Sequence, residues 1–144
     1  MTTLARPHSI TLIAWLAILY SVLTLGSKLF VVLSPEAFAM TRDFFVTLNK
    51  NALVRLPFEA HMAHGFLSSV VFAVAGIFML MGHNWARLLL LIWPLTALAL
   101  TFLVSGLSLS LGLKTLTYGV LAFFLLRGAS VAYFQARQAV TDAA

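Results

Sequence analysis

Two histidines three residues apart are the most metal-like feature of this sequence. In Glu59-Ala60-His61-Met62-Ala63-His64, a helix sets His61 and His64 about 60° apart, so both imidazoles lean toward one ion while Glu59 points elsewhere. The chain has no cysteine, so a metal would depend on imidazole and carboxylate, three or four of them. A haem held through two imidazoles needs ligands on two helices at similar depth, which this pair could supply only where two chains meet. The plainer use is structural. His61 shares a helical stripe with Gly65, Ser69 and Ala73, and such a side chain can hydrogen-bond a helix end or water near a membrane surface. The structural use is the expectation, with no bound cofactor. His61 and His64 stay as the metal candidates.

Other chemistry is hard to assemble. No Ser/His/Asp set, phosphate-binding loop or paired carboxylates can be drawn from the sequence, so no enzymatic activity is expected. From Ala60 to Thr141 there is no acidic residue. An ion-coupled carrier normally uses carboxylates inside the membrane, so transport by a single chain is disfavoured. An anion or small-molecule passage would need several copies and would be lined by Lys28, Lys114 and Arg127.

The elements that must position these residues follow from composition. The 144 residues are 62% hydrophobic and 9% charged, with a mean hydropathy of +1.02. That leaves too little polar surface to coat a globule in water. A soluble enzyme, a disordered chain and a nucleic-acid module are excluded. The net charge of +5 comes from nine Lys and Arg against four acids, scattered between apolar blocks as in membrane proteins. Crossing a hydrocarbon core takes about 20 apolar residues. Four segments qualify, at about 10–33, 60–81, 86–104 and 109–127, the last ending near Arg127 or running on to Phe134. The first run is longer than the apolar stretch of a secretory signal and is expected to be retained as a span. The expected fold is all-α: one integral-membrane four-helix bundle occupying residues 1–144.

Between the first two spans, Ser34-Pro35-Glu36 is a helix start: a capping hydroxyl, proline at the first helical position and an acid in the first turn. Ala37, Met40, Phe44 and Leu48 recur on one face, with Glu36, Asp43 and Lys50 on another. This predicts an extra amphipathic helix over about 35–50, lying on the membrane surface or capping the bundle. Gly65, Ser69, Ala73 and Gly76 form a small-residue stripe that lets a second helix approach closely. Trp85, Arg87 and Arg127 fall at span ends and are expected to anchor in the headgroup layer. The short loop 82–87 and the basic N-terminal tail favour cytoplasmic termini in a bacterial inner membrane.

Gly82-His83-Asn84-Trp85-Ala86-Arg87-Leu88-Leu89 resembles a Gly-x-x-Trp-Ala-Arg turn of small four-span bacterial membrane proteins of unassigned function. Leu125-Leu126-Arg127 followed by Tyr133-Phe134 is similar to their last span. Gly26-Ser27-Lys28-Leu29-Phe30 resembles the end of the first span in DoxX-like membrane proteins, with Glu59 in the place of an acid that opens their next span. Neither resemblance implies a catalytic residue.

The expected role is non-enzymatic: an accessory, stabilising or immunity-type protein. Its partners would be the bilayer and another membrane protein or further copies of itself, and not nucleic acid. The alternatives are an oligomeric redox or metal protein using His61 and His64, or the oligomeric passage above.

Overall fold

The computed structural model describes residues 6–50, 52, 54, 56–105 and 107–142. These form six helices and no strand: α1 (His8–Leu33), α2 (Pro35–Leu48), α3 (Phe58–Leu80), α4 (Asn84–Ser105), α5 (Leu109–Leu126) and α6 (Gly128–Asp142). Four of them, α1, α3, α4 and α5, are long and apolar enough to cross a membrane. Their outward surfaces carry Trp15, Leu19, Ile92, Leu116 and Phe123, all exposed, as expected where lipid supplies the apolar surroundings.

Local chemistry sets most boundaries. Ser34 accepts a hydrogen bond from the Ala37 amide at 3.3 Å, with Pro35 in the first turn of α2. Ser108 caps α5 through the Leu111 amide in the same way. Between α3 and α4, Gly82 adopts φ +88°, a left-handed conformation that costs other L-residues about 1–2 kcal/mol. The Gly82 amide donates to Met79 O and the His83 amide to Phe78 O, closing α3 with a Schellman motif.

α1 and α3 share the most extensive interface, and α3, α4 and α5 follow in sequence around the bundle. The apolar core is concentrated at the end that holds the α3–α4 turn. There Ile10, Ile13, Ala14 and Ala17 meet Ala75 and Met79, with Ala86, Leu90, Leu125, Tyr133 and Phe134 closing the layer. The opposite end is sealed less by apolar packing, and polar side chains gather there.

Two features differ from the sequence expectation. The first lies beyond Arg127, where a further helix follows, while the fourth span itself takes the nearer of its two expected ends. It ends at Leu126, Arg127 leaves helical geometry at φ −57° and ψ 140°, and a sixth helix begins at Gly128. Ser130 secures the break by donating to Phe124 O at 2.8 Å. Because α6 folds back, Tyr133 and Phe134 are buried in the core. The second difference lies in α2. Phe38 and Phe45 pack on Phe58, at 5.3 and 5.5 Å between ring centroids, while Met40, Phe44 and Leu48 stay exposed. The apolar arc of α2 is therefore wider than the four-residue face suggested, and only one edge meets the bundle.

Candidate functional site

A polar seam runs between α1 and α3 and opens toward α2. Ser21 on α1 donates to Ser69 O, Thr24 Oγ1 lies 2.9 Å from Ser69 Oγ, and Ser69 Oγ donates to Gly65 O at 3.0 Å. One turn further on, Lys28 lies flat across Gly65: a β-carbon built there would run into its ammonium and its Cε. Gly65 thus makes room for a lysine side chain. Gly76, on the same stripe, is approached by the α1 backbone itself, since a β-carbon there would lie 2.9 Å from Ala14 O. Ser69 and Gly76 are buried, and Ala73 is half-buried.

The two histidines turn to different neighbours. The His61 ring lies 4.9 Å from that of Phe45 on α2. His64 faces α4, with Nε2 3.2 Å from Thr96 Oγ1 and its ring stacked on Trp93 at 5.9 Å and 9°. Trp93 in turn donates to Ser68 Oγ at 3.0 Å. Among the described residues, no group of three His, Asp or Glu side chains could hold a metal ion. Beyond α4, Lys114 donates to Thr101 Oγ1 at 2.8 Å, and Tyr118 donates to Leu91 O at 2.9 Å. Partners of this kind let polar side chains sit within spans.

The histidine geometry carries a prediction. His64→Gln should fold with a stability change under about 1 kcal/mol, because glutamine retains one hydrogen bond to Thr96. His61→Gln should also fold, and the purified wild type should be colourless and free of stoichiometric metal. Elemental analysis and a visible spectrum check both. One zinc, copper or haem per chain, lost in both variants, would make these residues ligands.

The anchors divide. Trp85 is exposed, with its ring 4.9 Å from Phe78, and Arg127 is exposed at the α5–α6 junction. Arg87 turns inward: it is 7% exposed, its guanidinium lies 5.5 Å from the Phe134 ring centroid, and its Nε and Nη1 are enclosed without a hydrogen-bond partner. The reason is α6, which covers the side chain that a shorter bundle would leave in the headgroups. Arg6 at the same end donates to Leu80 O and to the Tyr133 hydroxyl, placing a cation on the carbonyl end of α3 where the helix dipole favours it.

Ser21, Thr24 and Lys28 were the part of this site not singled out from sequence as a group. Their signal is the spacing of three and four residues on α1, matched by Gly65 and Ser69 on α3. Comparison with protein families, curated proteins and solved structures finds no match to the chain.

Proposed function

We propose that this chain is a non-enzymatic accessory protein of a bacterial inner membrane, with cytoplasmic termini, that stabilises or protects another membrane component through helix and lid contacts. The observation that carries this reading is the uncovered edge of α2. Met40 is 77% exposed, on a helix whose other edge is fixed to the bundle by Phe38 and Phe45. An amphipathic helix held this way presents a second apolar edge at the membrane surface, where a neighbouring protein can cover it. The polar groups of the spans support the same reading, because His64, Thr101, Lys114 and Tyr118 bond to other parts of the bundle.

The test is a photo-crosslinking residue at Met40 in living cells, with Asp43 and Val120 as control positions. The expected result is one discrete protein adduct from Met40, absent from both controls, and loss of that protein when this chain is deleted. Adducts with lipid alone, or equal adducts from all three positions, would remove the proposal.

A further inference from the structure

Between α1, α2 and α3 lies a cavity of about 260 Å³, roughly nine times the ~30 Å³ that a water molecule occupies in the liquid. Its walls are mostly apolar, with Val31, Phe44, Phe45 and Phe58 among them, and its polar groups are Ser27, Lys28, Thr41 and His61. Thr41 is already engaged, donating to Ala37 O at 2.7 Å. Lys28 is not. Its ammonium packs over Gly65, and no carboxylate of the described residues pairs with it. The three acids at this end, Glu36, Asp43 and Glu59, are all exposed, and none lines the cavity. Lys114, on the neighbouring span, adds a second positive charge at this end of the bundle.

A lysine within a span is costly unless something compensates its charge. Here a cation and an imidazole share one cavity with a set of aromatic rings. We infer that the cavity between α1, α2 and α3 binds a single amphiphile with an anionic headgroup, its carboxylate or phosphate on Lys28 and His61 and its hydrocarbon among Phe44, Phe45 and Val31. Charge complementarity chooses the anion, since the cavity wall holds a cation and no acid. The apolar lining chooses a hydrocarbon over a free inorganic ion. A free fatty acid and an acidic phospholipid carry the same chemistry.

Binding to the purified full-length chain in a neutral detergent separates these sources, with oleate and phosphatidylglycerol as probes and oleyl alcohol as the uncharged control. The expected result is saturable binding of about one oleate or one phosphatidylglycerol per chain, at least tenfold weaker in Lys28→Met and unchanged in Lys50→Met. Oleate alone would identify a free carboxylate as the ligand, and phosphatidylglycerol alone a lipid phosphate. Thr41→Trp fills the cavity from α2 without altering any charge, and it should abolish binding while the helical content and melting temperature hold. That variant decides the matter should Lys28→Met fail to fold. Equal weakening by Lys28→Met and Lys50→Met, binding by Thr41→Trp at wild-type affinity, oleyl alcohol binding as tightly as oleate, or no saturable binding of either probe would each overturn the inference.

Discussion

Replacing Phe134 by alanine should cost about 3–5 kcal/mol, the usual range for a phenylalanine removed from a closed core. Phe134 is 0% exposed, meets Tyr133 edge-on at 5.2 Å, and lies beneath the Arg87 guanidinium. Truncation opens a cavity between α4 and α6 and removes the ring that covers a buried charge. The melting temperature in detergent should fall by on the order of 10 °C. Phe123→Ala is the control, because Phe123 is on the outer surface of α5 and its loss uncovers nothing. Phe134→Ala and Phe123→Ala melting together would mean that α6 does not dock on the bundle.

The second large effect is expected at the α1–α3 seam. A β-carbon at Gly76 would lie 2.7 Å from Ile18 Cγ1 and 2.9 Å from Ala14 O. The second of these is backbone, so the neighbouring helix has to move as a body. Gly76→Leu should therefore cost at least the ~1–3 kcal/mol typical of overpacking, and more than Gly65→Leu, which meets only the flexible Lys28 side chain. Gly119→Leu should be nearly neutral, since nothing lies within 4 Å of a β-carbon there. Thermal melts of the three variants give the order directly. Gly76→Leu as stable as Gly119→Leu would show that the two helices do not pack at Gly76.

These two sites differ in how far sequence could reach them. The four apolar spans are legible because the constraint is local: in lipid each segment must satisfy its own backbone hydrogen bonds and be long enough to cross. The starts of α2 and α5 and the turn at Gly82 are equally local, each fixed by a capping hydroxyl or a left-handed glycine. Gly76 belongs to a stripe that periodicity reveals, but its rank above Gly65 depends on which atom of α1 stands opposite.

Tyr133 and Phe134 show where local reasoning stops. At a span end the same two aromatic residues can seat in headgroups or fold back into a core, and only the surface offered by the helices that α6 meets chooses. The position of Arg87 follows from that choice, because α6 covers it. The same holds for Ser21, Thr24 and Lys28. Within a nearly uniform apolar span, a few polar residues carry little directional signal, and their meaning appears once Gly65 and Ser69 of α3 lie against them. Sequence alone determined that this chain forms four membrane-length helices and a shorter amphipathic helix between the first two, since those properties are set by hydropathy and capping along the chain. Tertiary structure decided which faces meet, that a sixth helix closes one end, and that a cation-bearing cavity opens at the other, since each depends on surfaces contributed by residues far apart in the chain.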